Sequence, residues 1–280
     1  MNVRFGFFTL MSASLLATAC VAAPEDVPED AFDGDLSASP LKMEGPIGLN
    51  GLDPVHFWAP QNQQALRTLG AGALLGANGA LGPTPLLATE GGQHVLGYAL
   101  RCALDASTSV PARGGLSFEG DLAIAPAWTS RALTTSEQRW MTACLLQQLN
   151  GVGAHVPILL TGAHPALVPE PGVDTSSYEV ADATTFGNLF ASEPSAYVCA
   201  DLGVHLGCGV GFSLRTLERL CGLSPTCGIT VLGLCALTCS YSPSGAPTCG
   251  PLLGPSYTET IASRVEETGF LSLYPLCDLL

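Results

Sequence analysis

Eleven cysteines constrain this chain more than any other feature, because an odd number in one chain cannot all close into disulfides. Eight of them, Cys199, Cys208, Cys221, Cys227, Cys235, Cys239, Cys249 and Cys277, crowd the C-terminal part. Cys102 and Cys144 precede them, and Cys20 stands far upstream. Setting Cys20 aside leaves ten cysteines expected to form disulfides, which pair with nothing left over. The composition suits a stapled fold: 32 glycines, 21 prolines, 47% hydrophobic and only 12% charged residues describe a loop-rich globular chain rather than a disordered one.

The N-terminus explains why Cys20 stands apart. Met1 to Arg4 carries one positive charge, and Phe5 to Ala19 carries none, the pattern of a secretory signal peptide over 1–19. That run is short for a membrane span, which needs about 20 apolar residues. Leu16-Ala17-Thr18-Ala19-Cys20 resembles the lipobox of bacterial lipoprotein precursors, in which the cysteine is acylated and becomes the first residue. Ala17 stands where that pattern prefers leucine, so ordinary cleavage after Ala19 or near Ala23 is the alternative. Lipidation at Cys20 would satisfy the parity and the motif together, and several acyl chains hold a protein firmly to a membrane. The expected address is the cell envelope, anchored at the outer membrane or periplasmic face, or otherwise the secreted fraction.

Charge narrows the partners. The formal net charge is −14, and Lys42 is the single lysine. A chain this acidic has no electrostatic footprint for nucleic acid and is repelled by anionic lipid surfaces. Membrane contact is therefore expected from the N-terminal lipid. Gly228 to Leu237 is apolar but too short to span and reads as a buried strand.

Along the chain, residues 20–36 form the lipid anchor and an acidic, Pro-interrupted tether that repels itself. Its acids lack the spacing of a calcium loop. Residues 37–84 read as a Gly/Ala/Leu low-complexity lead-in, partly ordered. The better-defined part, 85–280, is expected to be a disulfide-stapled α+β domain, with 199–280 as a cysteine-rich C-terminal subdomain. Within it, Val95, Leu96, Ala99, Leu100 and Ala103 recur at helical spacing. Short runs at Ser109 to Pro111 and Leu116 to Ile124, parted by Gly114-Gly115, give a hairpin signal. Thr134 and Glu137 form a capping box ahead of Trp140, Met141, Cys144 and Leu145, with Asn150-Gly151 as a stop. Val156 to Leu160 reads as a strand, and 162–195 as a long loop with an aromatic patch at Phe186 to Phe190. Cys102 and Cys144 fall one on each expected helix, so their pairing is the favoured connectivity. The other eight cysteines can pair in roughly a hundred ways.

No catalytic constellation emerges. The spacing of Cys221, Cys227, Cys235 and Cys239 departs from paired zinc ribbons, and exported thiols oxidise, so disulfides take precedence and no metal or cofactor is expected. His56, His94, His155, His164 and His205 show no close pair in sequence. The Gly-x-Ser-x-Gly elbow is absent. Gly207 to Gly211 lacks both the phosphate-loop lysine and the strand–turn–helix setting. Glu119 and Asp121 flank Gly120 on an expected strand and would share a face, which is the one acid–base pair a glycosidase reading can use. Trp58, Trp128, Trp140, Phe186 and Phe190 either line a groove or, as their scarcity favours, fill the core.

Several pieces taken together are similar to a family of exported, cysteine-rich, lipoprotein-like proteins abundant in myxobacteria. They are Asn50-Gly51-Leu52, Tyr98 to Leu104, Ile124 to Trp128, Arg139 to Leu146, Phe186 to Phe190 and Tyr197-x-Cys199. The likeness spans roughly 48–240, leaves 69–81 unplaced, implies a secreted or lipid-anchored bacterial protein, and supplies no catalytic residues. The expectation is an envelope protein with a structural or extracellular binding role, touching an envelope protein or glycan through its aromatics and the 162–195 segment. The alternative is an envelope glycan or peptidoglycan hydrolase using Glu119 and Asp121.

Overall fold

The computed structural model describes residues 47–153, 155–169, 171–241 and 247–277. The signal, Cys20 and the acidic tether lie outside the described residues. The architecture is α+β, a single domain in which helices pack on one six-stranded sheet. In chain order the strands of that sheet are β1 (Ile47–Asn50), β4 (Val156–Thr161), β5 (Val180–Asn188), β6 (Ser195–Ala200), β7 (Ile229–Leu234) and β10 (Ile261–Val265), arranged β1-β4-β10-β5-β6-β7. Neighbours run antiparallel except β6 and β7, which are parallel. Two small ribbons stand apart: β2 (Ser109–Pro111) with β3 (Ser117–Glu119), and β8 (Cys239–Tyr241) with β9 (Pro247–Cys249).

Helix α4 (Thr135–Gln148) lies on one sheet face and starts where the capping box places it, with Thr134 Oγ1 accepting the Glu137 N–H and Glu137 accepting the Thr134 N–H. Gln147 of α4 donates to the carbonyls of Ala183 and Ile261, so the helix is bonded to two central strands as well as packed on them. Helix α3 (Glu90–Ala103) packs outside α4, and the Cys102–Cys144 disulfide joins them as the helix assignments suggested.

The lead-in expected over 37–84 is, from Ile47 onward, part of the domain itself. It supplies β1, α1 (Pro54–Phe57) and α2 (Pro60–Gly70), and Leu52, Phe57, Trp58, Leu66, Leu74 and Leu81 are all in the core. Its backbone is bonded to distant segments, Leu74 N–H to the Trp128 carbonyl and Leu81 N–H to that of Pro111. Those partners explain how a glycine-rich stretch of weak helix propensity is nonetheless ordered.

The 162–195 segment also departs from its expected loop. Val180–Asn188 is β5, a strand between β10 and β6, buried from Asp182 onward. A β-bulge lies in its pairing with β10: Ala262 faces Thr184 but Arg264 faces Ala181, so Asp182 and Ala183 both oppose Ser263. Bulges re-aim side chains, and here Asp182 meets Arg219 of helix α6 (Phe212–Cys221) at 2.6 Å, both fully buried. Ser263 Oγ donates to the same carboxylate at 2.6 Å, and the Tyr274 hydroxyl to its other oxygen. Arg219 also donates to the Gln147 carbonyl, which ties α6, β5, β10 and α4 into one buried network.

The cysteine-rich C-terminal region contributes β6, β7 and β10 to the common sheet and carries four bridges: Cys199–Cys235, Cys208–Cys277, Cys221–Cys227 and Cys239–Cys249. The segment read as a buried strand over 228–237 is instead an edge strand, half-buried, that turns at Cys235 into the short helix α7 (Cys235–Thr238). On the sheet face away from α4, Phe186 stacks near Tyr197 and Tyr257 in a second small core with Cys199, Cys235 and Cys249. Five disulfides fit an oxidising, extracytoplasmic compartment.

A polar face on helix α3

Helix α3 is capped by Thr89, whose hydroxyl accepts the Gly92 N–H at 3.1 Å. Its buried side carries Val95, Leu96, Ala99 and Leu100. Another stripe carries His94, Tyr98 and Arg101 at positions four and three residues apart, which places them in line along one side, with His94 and Arg101 half-buried and Tyr98 buried between them. The rings of His94 and Tyr98 lie 5.2 Å apart edge to face, and the Arg101 guanidinium carbon is 5.6 Å from the centre of the Tyr98 ring.

Two other segments bring side chains to this stripe. Asp53 caps α1, one carboxylate oxygen accepting the Val55 N–H at 2.7 Å, while its other oxygen lies 3.6 Å from His56 Nε2. The His56 and His94 rings are 6.3 Å apart. Gly91 permits that approach, since a Cβ there would sit 2.5 Å from His56 Nδ1. A Cβ on Gly51 would run into both the Tyr98 hydroxyl and the His155 ring, so those two groups meet over bare backbone. Burial, then the neighbouring His56, pushes His94 down to about 4, so its imidazole is neutral at physiological pH. Burial pushes Tyr98 up to about 12 and keeps its hydroxyl a donor.

Beyond Tyr98 the stripe runs into a small cleft lined by Gly48, Tyr98, Arg101, Asp121, Leu122 and Gln148. Burial pushes Asp121 up to about 6 against the opposing pull of Arg101. Neutral imidazole, guanidinium and a carboxyl raised to about 6, all half-buried, with the buried Tyr98 phenol and Gln148 amide behind them, form a cluster of hydrogen-bond donors and acceptors suited to hydroxyl- or amide-rich ligands. Among the described residues, the group of ligand-type side chains with donor atoms within 4.8 Å of one another is Cys199, Cys235 and Cys239. Their sulfurs are committed to disulfides and are not thiolate ligands.

The sequence-derived candidates are dispersed. Strand β3 ends at Glu119, so the shared-face argument does not reach Asp121. The Glu119 carboxylate instead accepts the Ser109 hydroxyl at 2.7 Å on the exposed side of the hairpin, while Asp121 lines the cleft. Gly120 between them is pressed against the Asp105 carbonyl and Leu104. Trp58, Trp128 and Phe186 are core residues. Trp58 Nε1 donates to the Leu220 carbonyl at 2.9 Å, and Trp140 packs edge-on to His164. Cys221, Cys227, Cys235 and Cys239 divide among three bridges rather than forming one cluster. What sequence reading missed is the meeting of His56, His94 and His155, which come from three segments. The available signal was the helical spacing of His94, Tyr98 and Arg101.

Fold and site together define a disulfide-stapled α+β domain with a histidine-lined polar face. No family model, curated protein or solved structure matches it.

Proposed function

We propose that this is an exported, lipid-anchored envelope protein that acts by binding, engaging an envelope glycan or protein along the polar face of α3. The observation that carries the reading is the convergence of His56, His94, Tyr98, Arg101 and His155 on one stapled face. The anchor is supported by parity: all ten cysteines after Cys20 are paired, so acylation would leave no cysteine unaccounted for. Retention of the mature protein on isolated peptidoglycan, envelope glycans and envelope proteins tests it. An Arg101→Ala variant, and separately His94→Ala, should weaken retention by about tenfold or more, which corresponds to ~1.4 kcal/mol. Equal retention of the variants, or none of the wild type by any fraction, would refute the reading.

One observation favours a hydrolase as the second reading: Asp121, raised toward neutrality, faces Tyr98 and Arg101 in a cleft, which is the environment of a general acid. In that case Asp121→Asn abolishes turnover of a glycan panel and Glu119→Gln does not. Turnover that survives Asp121→Asn retires it.

A further inference from the structure

From Leu220 to Thr258 the chain carries no Asp, Glu, Lys, Arg or His, in a protein with ten basic and 24 acidic residues elsewhere. Within that stretch Gly250-Pro251-Leu252-Leu253-Gly254-Pro255 projects as a loop whose two leucines are 98% and 94% exposed. The loop is braced rather than loose. Cys249 and Tyr257 exchange backbone hydrogen bonds at 3.0 and 2.7 Å across its base, the Cys239–Cys249 disulfide fastens that base, and Gly250 N–H donates to the Thr238 carbonyl. Its turn is tight, since a Cβ on Gly254 would lie 2.7 Å from the Pro251 ring. Leu237, next to Thr238, adds a third leucine at 82% exposure. Two adjacent leucines held almost wholly in water on a rigid base are not explained by packing, and exposed apolar clusters mark contact sites.

We propose that Leu252 and Leu253, with Leu237 beside them, insert into the interfacial region of the bilayer to which the protein is anchored. The proposal rests on the lipid-anchor reading and specifies how the anchored domain is oriented. The two leucines at the tip are almost wholly exposed, so they can enter a partner rather than receive one. It is uncharged, so it is the part of an acidic protein that least resists approach to a membrane. Residues 21–46 reach at most ~90 Å when extended, which leaves the domain's orientation to a second contact. A weak apolar contact is enough for that, because a lipid anchor raises its effective concentration.

The test uses full-length acylated protein reconstituted into phosphatidylcholine vesicles. The native tryptophans are buried, so a Leu252→Trp reporter can be read against them. Brominated lipid should quench the new tryptophan at least about twofold, while a Val168→Trp control at another exposed site should be unaffected. A Leu252→Ser/Leu253→Ser protein should float with vesicles as before, yet show greater protease access to the 250–255 loop. Flotation without quenching of Leu252→Trp overturns the tip proposal and leaves the anchor standing. Failure of the wild type to float overturns the anchor. An unquenched tip whose serine variant loses a crosslink to one envelope protein identifies a protein pocket as the occupant and also overturns the lipid proposal.

Discussion

The two parts of this domain are ordered by different means. The part from Ile47 to Asn150 holds a leucine-rich core, with Leu52, Phe57, Leu66, Leu96, Leu100, Trp128 and Leu145 essentially inaccessible and a single disulfide among them. The part from Ser195 to Cys277 carries four disulfides and leaves Leu202, Leu206, Leu214, Leu223, Leu237, Leu252, Leu253 and Leu276 more than half exposed. Where apolar surface is buried the chain needs few bridges, and where apolar residues face outward the bridges replace burial as the source of order. The two parts meet at Arg219, which donates to the Gln147 carbonyl of the first part and pairs with Asp182 of β5, the strand between them.

That meeting point is where the contrast breaks most easily. Asp182→Ala would leave a fully buried Arg219 charge without its partner, a change of roughly 3–5 kcal/mol. Denaturant unfolding should show the loss with all five disulfides intact. If the variant keeps its midpoint, backbone pairing and packing rather than the ion pair hold the two parts together, since no disulfide crosses between them. Replacing both members, Asp182→Leu with Arg219→Met, should destabilise much less than the single change, because no charge is then stranded.

Among the bridges, loop length ranks the effect. Cys208–Cys277 spans 69 residues of sequence, and its removal is expected to destabilise by roughly 4 kcal/mol. Cys221–Cys227 spans 6, and its removal by roughly 2 kcal/mol. Paired Cys→Ser variants compared by thermal unfolding would sharpen the comparison. Equal losses would mean that local packing, not chain entropy, sets the value of each bridge.

How much of this was legible follows the same division. Helix α4 was readable because its cap and apolar positions are local, and the Cys102–Cys144 bridge followed once each helix was seen to hold one cysteine. Strand β5 was not, because Asp182, Thr184 and Thr185 look like loop residues until their partners are known: Arg219 and Ser263, Asp201, and the Ala143 carbonyl. Such burial is satisfied at long range and leaves no periodic trace. Residues 47–84 were obscured for a related reason, since Leu52, Leu66, Leu74 and Leu81 fill sites in a core built by distant segments. The polar face escaped because its histidines meet only after folding. Glu119 and Asp121 were misjudged because the strand ends between them.

The polar face belongs to the first part and gives a smaller, pH-dependent test. Asp121 sits at about 6 in the fold against 3.8 ordinarily, so the folded state favours its proton, and stability falls as pH rises through 4 to 6. Asp121→Asn should therefore raise stability at pH 7 by about 1–2 kcal/mol after allowance for solvent screening, and not at pH 4. His94 acts in the opposite sense. Its value of about 4 lies below the usual 6.5, so the stability it contributes is present above pH 6.5 and is lost as pH falls toward 4. His94→Gln should flatten that acid limb. A wild-type profile unchanged by either variant would mean that these groups are solvated and the face is not preformed.

The smallest effect tests whether the first part is as locally specified as it looks. Thr134 caps α4 and shares the Glu137 carboxylate with Arg131, whose two hydrogen bonds at 2.7 and 2.8 Å are the main reason Glu137 falls to about 2. Thr134→Ala should destabilise by about 1 kcal/mol at pH 7. Glu137 contributes above pH 4.5 and loses that contribution as pH falls toward 2, so the penalty attributable to the reciprocal pair should shrink in acid. A loss well above this value would mean that the cap fixes the register of α4 on the sheet through Gln147, making the N-terminal part as dependent on distant contacts as β5.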